Sequence, residues 1–248
     1  MVIDIHAHIT AYDLTAAKAE LLRTADLFQI DRIYVSGLKS YYSNEEEIAL
    51  LNQAVYSFMK EQPARVGGAV YVNPKNKNVM DVVKCAVEEQ GFEMIKLWVC
   101  TFADDPAVDP IMAYAEQNGV PVLFHAFHKA TMQVPNESTG IHIANIARRH
   151  PHTKIIMAHL GGNCYDGIPS IRDCKNVWSD LSGSIYGGDA LNYAVENIGA
   201  ERILFGSDMP ASFLVNVGKV QGADLSQEQR EMIYWKNAKK LLNRSFRV

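Results

Sequence analysis

Short runs rich in β-branched residues alternate with longer helical patterns along this chain, and that alternation constrains its fold more than any other feature. The expected strands are Val2–His6, Arg32–Ser36, Val66–Val72, Met94–Val99, Pro121–His125, Lys154–His159, Val177–Leu181 and Arg202–Gly206. Between them the apolar spacing turns helical over Thr15–Gln29, Asn44–Glu61, Asn76–Glu89, Asp109–Asn118, Ser138–His150, a short stretch near Ile168–Lys175, Asp189–Ile198 and Ser226–Asn243. Such alternation implies βαβ units and a parallel sheet. Eight units in 248 residues favour a closed (β/α)8 TIM barrel, which typically takes roughly 250 residues. An open doubly wound sheet would carry a glycine-rich first turn for a nucleotide, and His6-Ala7-His8 stands there instead. With no break in composition, residues 1–248 read as one α/β domain. The longest connection expected runs from Met209 to Leu225 and offers a wall for a pocket.

Composition narrows the partners. Apolar residues make up 48% and charged residues 21%, which excludes a disordered chain. A formal charge of −4, with no basic run, gives nucleic acid no footing. No apolar run approaches the ~20 residues that span a bilayer. The opening MVIDIHAHI reads as a strand and not as a signal peptide. Cys85, Cys100, Cys164 and Cys174 form no CxxC pair, as expected of free thiols in the cytoplasm. The expected partner is a small-molecule substrate, with homodimerisation left open.

In a strand, residues two apart point to the same side, so His6 and His8 can chelate one ion. Alone, such an HxH pair is a weak signal. Its force comes from the other strand ends: His125 closes Val-Leu-Phe-His-Ala, His159 closes Ile-Met-Ala-His-Leu-Gly-Gly, and Asp208 follows Leu-Phe-Gly-Ser. Barrel enzymes build their sites at the C-terminal rim, where all five polar residues fall. A strand-end histidine that merely bonds nearby backbone explains any one of them but not the set.

The same ordered residues resemble the amidohydrolase superfamily: the HxH strand, His-Ala after strand five, Ala-His-Leu-Gly-Gly and Phe-Gly-Ser-Asp-Met-Pro. The closest resemblance is to its amidohydrolase-related branch, which holds hydrolases and the aminocarboxymuconate-semialdehyde type of decarboxylase. It implies one divalent metal, zinc first with manganese or iron as alternatives, held by His6, His8, His125 and Asp208, with His159 as a nearby acid or base. TatD-like nucleases share the opening motif but carry a strand-four glutamate, where this chain reads Met-Ile-Lys-Leu-Trp. Binuclear members carry a carboxylated strand-four lysine, so the alternative is two metals bridged by Lys96 with His159 as a ligand. Left unmodified, Lys96 would pair with a barrel carboxylate or position an anionic substrate.

From this set the expected activity is hydrolysis of an amide, lactone or ester by a metal-activated water. Asp208 would take the water's proton and His159 would stabilise charge on the carbonyl oxygen. The alternatives are a metal-dependent decarboxylase and a non-catalytic binding barrel. No arginine stands at an expected strand end to grip a substrate carboxylate, which tips the reading to hydrolysis. Lys96, Trp98 and His128 are candidate substrate contacts, with Ser182, Tyr165 and Tyr186 as candidate walls. Asp4 shares the parity of His6 and His8 and is expected to orient a ligand, while Asp180 shares that of Ser182. His142, His150 and His152 read as solvent-facing, and Tyr41-Tyr42-Ser43-Asn44 as a loop entering a capped helix.

Overall fold

A computed structural model describes residues 1–10, 13–183 and 187–243. Eight strands pair in chain order, each parallel to the next: β1 Ile3–Thr10, β2 Arg32–Leu38, β3 Val66–Tyr71, β4 Met94–Leu97, β5 Val122–Phe124, β6 Ile155–Met157, β7 Val177–Asp180 and β8 Ile203–Leu204. The sheet returns on itself where Ile5 N donates to Phe205 O at 2.9 Å and Ala7 bridges Asp208. The barrel is the one the alternation predicts.

Its helices are α1 Leu14–Leu27, α2 Glu45–Glu61, α3 Val79–Lys84, α4 Asp109–Asn118, α5 Gly140–Arg149, α6 Cys164–Ile171, α7 Gly188–Ile198, α8 Phe213–Gly222, α9 Gln227–Glu231 and α10 Asn237–Leu242. Local chemistry sets their ends. Asn44 caps α2 by accepting from Glu47 N, Ser226 and Gln229 form a reciprocal cap on α9, and Gly119 stops α4 in the left-handed region at φ 66°. No helix among the described residues is long and apolar enough to cross a membrane. All four cysteines are free.

Two expectations need correction. The stretch after β8 is not an open connection: a short turn over Pro210–Ser212 leads into α8, which buries Phe213, Asn216, Lys219 and Val220. That helical spacing was masked by Gly218 and Gly222, which weaken a helical reading. The second concerns β1, which does not end at His6 but stays paired with β2 as far as Thr10–Leu38, and its register shifts between Asp4 and Ala7. Ile3 and Ile5 pack in the inner cluster with Tyr34, Met94, Leu123, Ile156 and Leu204, whereas Ala7 and Ile9 pack in the outer one with Ile33 and Val35. The irregularity reverses which parity faces inward, as a bulge does. His6 and His8 therefore face the barrel interior, and the parity of Asp4 does not carry across to them.

A candidate metal centre at the barrel mouth

Above the apolar inner cluster, the barrel interior turns polar. Lys96, His6, His8, His159, Asp180 and Ser182 are all buried, while Asp208 keeps 26% of its side chain exposed. Two sets of ligand atoms lie within 4.8 Å of one another among the described residues: His6, His8 and Asp208, and His6, His159 and Asp180. Three of the four expected ligands thus converge directly. The fourth, His125, stands one imidazole away, its Nδ1 3.2 Å from His159 Nε2.

What lies behind each ring decides which nitrogen it presents. His6 Nδ1–H donates to Asp180 Oδ2 at 2.9 Å and His8 Nδ1–H to Ser36 Oγ at 2.8 Å, so both turn an Nε2 lone pair inward. His159 Nδ1–H donates to Ser182 Oγ at 2.9 Å, and the Ser182 hydroxyl in turn donates to Asp180. His125 is anchored the other way round: its Nε2–H donates to Glu137 Oε1 at 2.9 Å, leaving Nδ1 inward. Glycine at 183 (φ 90°) is required here, because a Cβ there would lie 2.7 Å from His159 Nδ1.

Electrostatics favour neutral rings. Burial lowers the His8 pKa to about 4, opposed by the adjoining Asp208 carboxylate and helped by the charges of His6 and Lys96. Burial likewise holds His125 below, and His159 well below, the ordinary histidine value. It brings Lys96 down to about 8, opposed by Asp208 and Asp180. For Asp208 burial alone would raise the pKa, but its close approach to His8 and the nearby imidazoles of His159 and His6 hold it well below the usual carboxylate range.

These residues fit a divalent cation. His6 Nε2 and His8 Nε2 face each other at 2.9 Å, with Asp208 Oδ1 3.4 Å from His8 Nε2. Two imidazole lone pairs so close repel unless a positive charge lies between or beside them. A donor set of neutral imidazoles and one ionised carboxylate could hold such an ion. Lys96 Nζ, 2.9 Å from His6 Nε2, supplies one positive charge beside them.

Two backbone features shape the rim. His159 and Asp208 adopt left-handed φ of 63° and 67°, an uncommon conformation that clusters at functional sites. Asp208 N donates to His6 O at 2.6 Å, which ties β8's end to the HxH strand. Asp4 does orient its surroundings: its carboxylate accepts from His6 N and from both Ser207 N and Oγ.

The remaining candidates scatter. Trp98 stands edge-on to His125 at 6.5 Å and packs against Tyr41 at 4.8 Å. His128 is 44% exposed and paired with Asp166 at 2.8 Å, outside the cluster. Tyr165 is exposed and packs on Tyr193, and Tyr186 lies outside the described residues. Of the histidines read as solvent-facing, only His152 is exposed. His142 caps α5 and stacks on Phe102 at 4.4 Å, and His150 bonds Asp109 at 2.8 Å. Residue-level reading missed Glu137, Ser36 and the pairing of Asp180 with His6. Parity flagged Asp180, but nothing local marks the other two.

The Amidohydrolase family model matches residues 3–244. The chain belongs to the amidohydrolase family. No curated protein matches it by sequence. Among solved structures it resembles 2,6-dihydroxybenzoate decarboxylase from Rhizobium, at 16% identity and a TM-score of 0.78 over 98% of both chains. It also resembles a dihydroxybenzoic acid decarboxylase from Polaromonas sp. JS666 with bound manganese and the inhibitor 2-nitroresorcinol, at 18% identity and a TM-score of 0.76 over 98% of both chains. A third likeness is to 4-oxalomesaconate hydratase from Rhodopseudomonas palustris, at 18% identity and a TM-score of 0.73 over 98% of this chain and 96% of that one. At these identities the likeness is one of fold.

Proposed function

We propose that this amidohydrolase-family protein is a metal-dependent lyase that decarboxylates a small, flat, conjugated carboxylic acid. The observation that carries this reading is the aromatic approach to the imidazole cluster. Phe127 lies 5.6 Å from His159 and 6.3 Å from His125, and Trp98 stands edge-on to His125 at 6.5 Å. Aromatic walls favour a planar π-system over an aliphatic chain. Two of the similar folds described above are decarboxylases of hydroxybenzoic acids, and the third is a hydratase, another lyase.

His6, His8 and Asp208 would hold the metal, with His125 completing the set. When bound, the ion supplies positive charge that draws in the substrate's carboxylate and a neighbouring oxygen and steadies negative charge as the carbon–carbon bond breaks. The remaining work falls to the protein. Lys96, buried beside His6, adds a cation that can stand in for the arginine whose absence at the strand ends tips the sequence reading to hydrolysis. His159 is held neutral with Nε2 inward, so it accepts a proton from a substrate hydroxyl or from water and returns it to the carbon that loses carbon dioxide. Trp98 and Phe127 orient the ring and exclude water from that carbon.

Hydrolysis is the second reading, supported by Asp208. Its partly exposed carboxylate beside His8 suits a group that takes a proton from water and passes it to a leaving group. The two readings separate on one panel. Protein loaded with manganese or zinc is offered hydroxybenzoates and unsaturated di-acids, then lactones, esters and amides. Carbon dioxide released from the first group supports the lyase. Turnover confined to the second group replaces it with the hydrolase, and metal binding without any turnover leaves a binding barrel.

A further inference from the structure

The connection from β5 to α5 carries an arrangement that this chemistry does not use. Glu137, 4% exposed, closes that connection, and its carboxylate serves both the site and the loop. Oε1 accepts from His125 Nε2 at 2.9 Å and from Lys129 Nζ at 2.7 Å. Oε2 accepts from Lys129 Nζ at 2.6 Å, Gln133 Nε2 at 2.8 Å and Val134 N at 3.3 Å. Gln133 Nε2 also donates to Phe127 O, and its Oε1 accepts from Lys129 N. Residues 128–136 thus fold back onto a buried carboxylate that belongs equally to His125. Apolar packing contributes little, since Met132 at the loop's tip is 91% exposed. From across the mouth, the Tyr42 hydroxyl reaches Pro135 O at 3.5 Å.

We propose that Glu137 is a positioning residue that couples closure of the 128–136 loop to the orientation of His125, so that a metal ion in the site and a closed loop favour each other. The coupling is electrostatic. Glu137 keeps the His125 Nε2–H outward and the Nδ1 lone pair inward. A cation drawing on Nδ1 makes Nε2–H a stronger donor, which tightens its hold on Glu137 and so on Lys129 and Gln133. Opening the loop removes the two side-chain donors that keep the carboxylate buried, and His125 then loses its anchor. Linkage makes the effect reciprocal: whatever metal does for the loop, the loop does for metal affinity. This inference rests on the metal reading of the site.

Lys129 is itself a trypsin site, which gives a readout independent of turnover. Cleavage after Lys129 is followed by mass spectrometry in chelator-treated protein and with zinc alone, beside nitrogen-15 spectra of the His125 ring. Zinc is expected to slow cleavage of the wild type about tenfold, within the usual range of such couplings. Glu137→Gln should abolish the slowing, speed cleavage of the metal-free protein and shift the His125 tautomer. Gln133→Ala touches no ligand and sits on an exposed loop, so it keeps the test valid if Glu137→Gln does not fold. It should speed cleavage, shift the His125 tautomer less than Glu137→Gln does and weaken zinc about fivefold. Zinc that binds the wild type without altering cleavage overturns the coupling. Zinc that fails to bind overturns the metal reading and the coupling to it. Unchanged metal-free cleavage and tautomer in Glu137→Gln would separately overturn the clasp.

Discussion

Asp4→Asn should stabilise the metal-free protein at neutral and alkaline pH and leave it unchanged near pH 4. Asp4 is fully buried, and burial raises its pKa from 3.8 to about 7, against the hydrogen bonds from Ser207 and His6 and with a further push from Asp180. A raised folded-state pKa contributes stability that is fully present below the unfolded value and is lost as pH rises through the folded one. The loss therefore runs from about pH 4 to about pH 7. At about 1.4 kcal/mol per pH unit it reaches on the order of 4 kcal/mol by pH 8. Asparagine keeps the same contacts: its oxygen accepts from His6 N and Ser207 N, and its amide donates to Ser207 Oγ. Urea denaturation in chelator, at steps from pH 4 to pH 8, measures the gap between variant and wild type. It should be near zero at pH 4, widen up to about pH 7 and level off above it. Zinc should narrow it at pH 8, because a nearby cation favours the ionised carboxylate. A gap that is constant with pH, or a variant less stable than wild type at pH 8, would refute the view that Asp4 is held in a desolvating environment.

Two further outcomes follow from the same geometry. His8 contributes stability present above pH 6.5 and lost as pH falls toward about 4, on the order of 3 kcal/mol. In an Asp4→Asn background, metal-free protein should thus weaken on acidification across that window, and a flat urea midpoint there would refute it. Lys219→Met should cost about 2–4 kcal/mol, read by urea denaturation, because it leaves two buried carbonyls without their donor. Lys219, buried in α8, donates to Leu181 O and Gly183 O and so holds the segment that carries Ser182 behind His6 and His159. Turnover should fall with it while KM changes little, and unaltered stability would count against the clamp.

The amino-acid sequence by itself determined the barrel and the level at which its site lies. Alternation of strand and helix is a local property, and each βα unit announces itself without knowing its neighbours. His6, His8, His125, His159 and Asp208 could be assigned to one rim because each ends an apolar run. Periodicity, however, assumes an unbroken ladder, and the irregularity at Asp4–Ala7 broke it, so the parity of Asp4 misled. The α8 helix escaped notice because its glycines dilute the helical signal while tertiary burial of Phe213 and Val220 sustains it. Only the closed barrel decided which nitrogen each imidazole presents. That choice rests on the group behind the ring: Asp180, 174 residues from His6, Ser36, 28 residues from His8, and Glu137 on a loop beyond β5. A proton settles on whichever nitrogen finds an acceptor, and those acceptors meet their histidines only when the sheet closes.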